Sequence, residues 1–150
     1  MKDHQKNKVY LWENKFIPSG RHISFEEIQA YVNNVWSGMG LSFPPKVKVL
    51  PSQKHALGDA TRLTVRFPKT GATEHIILHE LAHAMTADID GLSHQHNEYF
   101  VGMLMTLAEK YLNGNVLFMW VSAEHNGVKY TKFQKPMLHS LYDQAAVAHG

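Results

Sequence analysis

The sequence predicts an α+β fold in a single domain, with a small, mostly antiparallel sheet packed against helices. Its 150 residues suit one domain with a hydrophobic core. Two stretches, residues 25–39 and 100–111, carry apolar residues at helical spacing, and two short stretches alternate polar and apolar residues as half-buried strands do. We find no internal repeat, linker or low-complexity tract that would divide the chain into further domains.

The composition narrows the class of protein. Hydrophobic residues make up 44% of the chain and charged residues 19%, as in soluble globular proteins. The absence of cysteine excludes a disulfide framework, a cysteine-rich zinc ribbon and a cysteine nucleophile. The net charge of +2 gives no argument for a nucleic-acid partner, although it leaves that class open. The sequence does not indicate an oligomeric state.

The N-terminal sequence, MKDHQKNKVYLWENK, is polar and basic and lacks the apolar segment of a signal peptide. No apolar run in the chain is long enough to span a membrane. Together with the absence of cysteine, these features predict a cytoplasmic protein without a membrane partner. We expect Met1–Lys8 to form a disordered arm and Val9–Trp12 to form a short strand.

The first helix that the sequence indicates begins at Ser24. Ser24 and Glu27 have the spacing of a capping box, in which the two side chains hydrogen-bond to the backbone of the first turn. Apolar residues follow at helical spacing, which predicts a side that packs in the core. They are Phe25, Ile28, Val32, Val35, Trp36 and Met39. Gly38 and Gly40 are expected to end this helix.

Two segments show the alternation of a half-buried strand, Lys46–Val49 and Thr61–Phe67. The second strand comes shortly before the motif described next, so it is expected at the rim of any site there. Two interpretations of the free edge of this strand are then open. The edge accepts an extended peptide by strand addition, or Arg62 and Arg66 blunt an ordinary sheet edge.

The stretch Thr73–Phe100 holds the residues with the clearest chemistry. His79-Glu80-Leu81-Ala82-His83 is an H-E-x-x-H motif, and apolar residues on both sides predict a buried helix over 73–87. Positions i and i+4 lie on one face of a helix, so His79 and His83 can bind one metal ion. Glu80 lies beside them as a candidate general base. Zinc is the expected ion, because neutral imidazoles suit it.

A second polar cluster, His94, His96 and Glu98, follows after a short turn. We expect it in the first turn of a helix over 93–113, where it would face the motif helix and supply a third ligand. In the turn between the two helices, Asp88 and Asp90 either orient a ligand imidazole or simply make the turn.

The C-terminal third of the chain is less informative. Val116–Val121 is apolar and is read as either a buried strand or a short helix. Val128–Phe133 alternates weakly and is expected to pair with it as a hairpin. Pro136–Ala148 is expected to form a terminal helix.

These motifs carry a resemblance to a known group of enzymes. His79–Ala84, followed after a short gap by His96-Asn97-Glu98-Tyr99-Phe100, resembles the H-E-L-A-H and H-G-x-x-F motifs of SprT-like proteases and related short bacterial and phage zincins. The resemblance covers about 28 residues, and Asn97 replaces the glycine of the group. It implies a zincin-like fold over residues 1–150, with His96 as the third metal ligand and Phe100 packed beneath it. Glu98 and His94 remain the alternative ligands.

The resulting hypothesis is a metallopeptidase that uses Zn2+. His79, His83 and His96 would bind the ion, and Glu80 would act as general base in the cleavage of a peptide or protein substrate. The alternatives are a metal-dependent nuclease or other hydrolase on the same residues, and a non-catalytic zinc-binding module. A further group should stabilise the oxyanion. The candidates for it are Tyr99, His125, Tyr130 and Arg62.

Overall fold

The computed structural model describes residues 3–54, 56–87 and 95–132, and they form an α+β protein. The helices are α1 (Lys6–Phe16), α2 (Phe25–Gly38), α3 (Glu74–Met85), α4 (Glu98–Tyr111) and α5 (Val116–His125). The strands are β1 (His22–Ile23), β2 (Lys46–Val49), β3 (Asp59–Ala60), β4 (Thr64–Phe67) and β5 (Ala72–Thr73). Within these residues, no helix is long and apolar enough to cross a membrane.

The strands form two small sheets. In one sheet the strand order is β2-β4-β3, and in the other β1 pairs with β5. Two of the three pairings are antiparallel, as expected, but the longest one, between β2 and β4, is parallel. A parallel pairing needs a long connection. Here the chain between Val49 and Thr64 provides it, and this connection also contains β3.

The strand expected over Thr61–Phe67 is present but shorter, and it is not a sheet edge. β4 begins at Thr64 and lies between β2 and β3. Arg62 does not blunt an edge either, because its side chain is buried and its guanidinium lies 4.7 Å from the centre of the Trp36 ring. The edge next to α3 belongs to β3, so both readings of the β4 edge are wrong.

The N-terminal segment differs most from expectation. Lys6–Phe16 forms helix α1, so the disordered arm is wrong for residues 3–8 and the strand over Val9–Trp12 is wrong as well. Val9 and Trp12 are buried at helical spacing. The indole Nε1 of Trp12 donates a hydrogen bond to Ser122 Oγ at 2.9 Å, which holds α1 against α5.

Helix α2 confirms the first predicted helix. Ser24 is its N-cap residue, but the Ser24 side chain makes no capping hydrogen bond, so the capping box is wrong in that detail. The apolar side packs as expected. Ile28, Val32, Val35 and Trp36 are buried, while Phe25 and Met39 are partly buried against the core.

The motif helix is confirmed as α3, and its Thr73 side chain accepts a capping hydrogen bond from the Ile76 amide. Helix α4 starts later than expected, at Glu98, because the Asn97 side chain caps it through the Tyr99 and Phe100 amides. The ambiguous segment at 116–121 is helical, within α5. Residues 128–132 contain no strand, whereas residue 133 and the expected helix Pro136–Ala148 lie outside the described residues.

Candidate metal centre

Helix α3 places the motif residues in the interior of the protein. Every residue from Ile77 to Met85 is buried, including His79, Glu80 and His83. The two histidines are one helical turn apart, and their ring centroids are 5.0 Å from each other. A buried helix with three polar side chains on one face needs partners for them.

The third histidine comes from the turn that leads into α4. His96 lies between Gln95, which has a positive φ of 65°, and Asn97, which caps α4. Its Nε2 atom is 3.3 Å from His79 Nε2. One nitrogen from each of His79, His83 and His96 lies within 4.8 Å of the other two, and all three side chains are buried. The three histidines therefore form a group that could hold a metal ion.

One pair of donor atoms has the spacing that such an ion requires. Two nitrogens that bind one tetrahedral zinc at about 2.0–2.1 Å lie roughly 3.3 Å apart. That is the separation of His79 Nε2 and His96 Nε2. Glu98 is the first residue of α4 and is not part of the three-histidine group, and His94, Asp88 and Asp90 lie outside the described residues.

Phe100 forms the apolar floor of the three-histidine group. Its ring stacks on His83 with centroids 4.2 Å apart, and it lies 4.8 Å from the His79 ring and 5.0 Å from the His96 ring. Because Phe100 is fully buried in the core, it limits how far the three imidazoles can turn. The expected packing of Phe100 beneath His96 is present and extends to all three rings.

Two carboxylates lie within hydrogen-bonding distance of the Nδ1 atoms of two of these imidazoles. Glu13 Oε1 lies 2.7 Å from His79 Nδ1, and Asp3 Oδ2 lies 2.6 Å from His96 Nδ1. Burial alone would raise the pKa of Glu13, but hydrogen bonds from His75 and His79 outweigh it and lower that pKa. Burial lowers the pKa of His96. Burial also lowers the pKa of His83, and the neighbouring histidines lower it further, to well below its usual value. Two of the three imidazoles, those of His83 and His96, are thus favoured in their neutral form.

The pKa of the His79 imidazole shifts in the opposite direction. Burial lowers its pKa, but the hydrogen bond and the charge of Glu13 outweigh burial, and the pKa is raised overall. A metal ion competes with a proton for an imidazole nitrogen. The negative charge of Glu13 therefore favours any cation at His79, whether a proton or a metal ion.

Glu80 lies at the edge of the same group. Its side chain is largely buried, and burial raises the pKa of its carboxyl to about 7, although the neighbouring His79 opposes this rise. A carboxyl group with such a pKa exchanges a proton readily near neutral pH. Its position and its pKa match the requirements of a general base or acid.

An open cleft reaches Glu80 and the histidines. Two adjoining cavities of about 430 and 380 Å³ share Lys6, Tyr10, Gly58, His79 and Glu80 among their lining residues. The second cavity also touches His83, His96 and strand β3. The Tyr10 ring centroid is 4.8 Å from that of His96. Burial and the charge of Glu80 raise the pKa of Tyr10, so its phenol stays protonated and can donate a hydrogen bond.

The four residues proposed as oxyanion donors do not line this cleft. Tyr99 lines a third cavity, which also touches Asp3 and His96 but not Glu80, and the Tyr130 hydroxyl donates a hydrogen bond to Glu124. Arg62 packs on Trp36, and His125 ends helix α5. Neither cavity beside Glu80 has any of the four in its lining, so the expectation is not supported for them.

The residues missed by sequence reasoning are Asp3, Tyr10, Glu13 and His75. A signal existed for His75, because His75, His79 and His83 follow at four-residue steps on one helix face. Its Nε2 atom lies 2.7 Å from Glu13 Oε1. For the other three, their place in the sequence gave no indication, since Asp3 and Tyr10 belong to the expected arm and strand, and Glu13 follows directly after that strand.

Comparison with known proteins gave no significant match to a family model, to a curated protein or to a solved structure.

Proposed function

We propose that this protein is a zinc-dependent hydrolase with a zincin-like fold, and that it cleaves peptide bonds. The observation that carries the proposal is the convergence of His79, His83 and His96 on one point, beside the carboxyl group of Glu80 in an open cleft. A buried histidine group could serve structure alone. The adjacent Glu80, with a pKa near 7 and access to the cleft, favours catalysis.

The number of ligands supports a catalytic site. Three imidazoles would hold the ion, and among the described residues no fourth His, Asp or Glu joins the group of His79, His83 and His96. Structural zinc sites have four protein ligands, whereas catalytic sites have three and leave one position for water or substrate. When bound there, zinc would act as a Lewis acid on the substrate carbonyl and lower the pKa of a coordinated water.

Glu80 would perform the proton transfers. Its carboxylate accepts a proton from the attacking water and then delivers it to the nitrogen of the departing amine. The burial of its side chain suits both steps, because burial favours the protonated form, in which the group must hold the proton briefly before it releases it. Tyr10 lies across the cleft as a protonated hydrogen-bond donor.

A peptide is favoured over other substrates by the sheet edge beside the cleft. β3 is the outer strand of its sheet, pairs only with β4 among the described strands, and lines the cavity that contains Glu80. An extended peptide can hydrogen-bond to such an edge. The H-E-L-A-H and H-x-x-x-F motifs, which resemble those of SprT-like proteases, support the same substrate class.

The test is digestion of a complex peptide mixture, with the products identified by mass spectrometry. We expect zinc-loaded wild type to cleave peptides, and a chelator or Glu80→Gln to abolish cleavage while Glu80→Gln still binds zinc. Glu98→Gln is the matched control, because Glu98 lies near His96 but outside the histidine group. A zinc-loaded protein that cleaves RNA or DNA but no peptide, or that cleaves nothing, would contradict the proposal.

A further inference from the structure

The N-terminal segment, residues 3–16, lies against the three-histidine group and contacts two of its imidazoles. Asp3 Oδ2 is 2.6 Å from His96 Nδ1, and Glu13 Oε1 is 2.7 Å from His79 Nδ1. The opposite nitrogens of the same two rings, the Nε2 atoms, are 3.3 Å apart and point toward each other. One carboxylate from each end of this segment therefore orients one ring.

These contacts select the form of imidazole that binds a metal. An Nδ1–H that donates to a carboxylate leaves the lone pair on Nε2, which is the atom that faces the group. The carboxylate also makes the ring a stronger electron donor. Both effects strengthen metal binding without any contact between the carboxylate and the ion.

His75 completes the arrangement around Glu13. Its Nε2 and His79 Nδ1 both lie 2.7 Å from Glu13 Oε1, while Oε2 is buried with no hydrogen-bond partner among the described residues. These three residues could also be read as ligands of a second ion. The 2.7 Å distances are those of hydrogen bonds, since two ligands of one zinc lie roughly 3.3 Å apart. His75 therefore fixes Glu13 in place.

The other end of the segment is fixed as well. The Gln5 amide donates to the carbonyl oxygen of His96 at 2.8 Å and to that of Lys129 at 3.1 Å, and its oxygen accepts from the Lys129 amide. This side chain joins the segment to the backbone of the ligand residue itself. Asp3, two residues before Gln5, is thereby placed beside the His96 ring.

We propose that Glu13 and Asp3 are the positioning residues of the metal site, and that residues 3–16 thereby give the three-histidine group a high affinity for zinc. This inference rests on the proposed function. His75 acts one step further out, through Glu13. This role differs from a contribution to folding, because its loss changes the affinity for the metal ion and the geometry of its ligands. The fold contact of the same helix, Trp12 to Ser122, is separate from the histidines.

The experiment measures zinc affinity by competition with a chromogenic chelator, together with the visible absorption spectrum of the Co²⁺-loaded protein. We expect Glu13→Gln and Asp3→Asn each to weaken zinc binding roughly 10–100-fold and to change the Co²⁺ spectrum. Glu13→Leu should weaken it further, because it removes the acceptor that the Gln variant keeps. The matched control is Ser122→Ala, which removes the acceptor of Trp12 and should leave affinity and spectrum unchanged.

The outcomes are distinguishable. If wild type binds one zinc tightly and both Glu13→Gln and Asp3→Asn equal it in affinity and spectrum, the positioning role is wrong and the proposed function stands. Two zinc ions per wild-type chain, with one lost in Glu13→Gln and His75→Phe, would make Glu13 a ligand and overturn the inference. A wild type that binds no zinc overturns both the inference and the proposed function. If the Glu13 variants do not fold, Asp3→Asn still tests the inference, because the Asp3 side chain is 15% exposed whereas that of Glu13 is 3% exposed.

Discussion

The backbone of Gly58 lies directly against the side chain of Glu80. A Cβ atom at position 58 would be 3.0 Å from Glu80 Cγ and 3.2 Å from Glu80 Oε2, and it would also be 3.2 Å from the carbonyl oxygen of Arg66. Since the Arg66 carbonyl belongs to strand β4, the carboxylate is the group that must move. Gly58 thus leaves the space in which Glu80 faces the cleft.

Gly58→Ala should therefore displace Glu80 and slow catalysis without loss of metal. We expect kcat to fall roughly 10-fold or more, since small misplacements of a catalytic group are costly. Peptide turnover and zinc content are measured on the same sample. Gly114→Ala is the control, because its Cβ would meet similar crowding, 3.2 Å from Met119 Cε, away from the site. Equal turnover in wild type and Gly58→Ala would contradict this role.

Tyr10→Phe tests the donor across the cleft. The protonated Tyr10 hydroxyl is the group we expect to stabilise the oxyanion, so its loss should lower kcat by roughly 10²-fold. Zinc affinity should not change. Tyr99→Phe is the matched control, because Tyr99 lines neither of the two cavities beside Glu80. If Tyr99→Phe reduces kcat and Tyr10→Phe does not, the assignment made from the structure is wrong.

Metal-free protein should show a pH-dependent stability that originates at Glu80. Its pKa is about 7 in the folded protein and 4.5 ordinarily, so between these values the folded chain holds a proton that the unfolded chain has released. The stabilisation is complete below pH 4.5 and is lost as the pH rises through 7. Glu80→Gln removes this loss. Its free energy of unfolding relative to wild type should increase with pH, by on the order of 1–3 kcal/mol.

Urea unfolding of both proteins at several pH values measures this difference. The comparison removes the titration of Glu80, whereas Glu13, His83 and His96 titrate in both proteins. The pKa of His79 responds to the substitution as well, because the charge of Glu80 raises it. A difference in unfolding free energy that stays constant across this pH range would show that Glu80 does not carry a raised pKa in the folded protein.

Phe100→Leu should weaken metal binding as well as folding. Phe100 is fully buried and contacts all three imidazoles, so a smaller side chain should cost roughly 1–2 kcal/mol of stability and let the rings turn. Phe67→Leu is the control for the loss of core volume, because Phe67 is equally buried on β4. We expect similar destabilisation in urea for both variants, and reduced zinc affinity for Phe100→Leu. Unchanged zinc affinity in both would show that Phe100 serves packing alone.

Local features could be predicted from the sequence, and they include the centre of the site. The helix around His79 and His83 and the strand at Lys46–Val49 are each determined within a few residues. The cluster after the motif helix offers three candidates for the third ligand, and the resemblance to SprT-like proteases is what favours His96 among them. The expected start of α4 was too early, because the side chain of Asn97 caps this helix and so decides where it begins.

The residues around the histidines could not be predicted, because they come from far along the chain. Glu13 and His79 are separated by 66 positions, and Asp3 and His96 by 93. The helical spacing of Val9 and Trp12 was too short a pattern to outweigh the polar residues around it. Contacts between distant parts of the chain, among them those of Gln5 with His96 and Lys129, bring this segment to the site. No local pattern encodes such a contact.

The most direct measurement is the zinc content of the purified protein, without a His tag, for wild type and for His79→Ala, His83→Ala, His96→Ala and Glu98→Ala. We expect one zinc per chain in wild type and in Glu98→Ala, and its loss in each histidine variant. A wild type that neither contains zinc nor takes it up would contradict the metal centre. A His96→Ala variant that keeps zinc while Glu98→Ala loses it would show that the third ligand is Glu98.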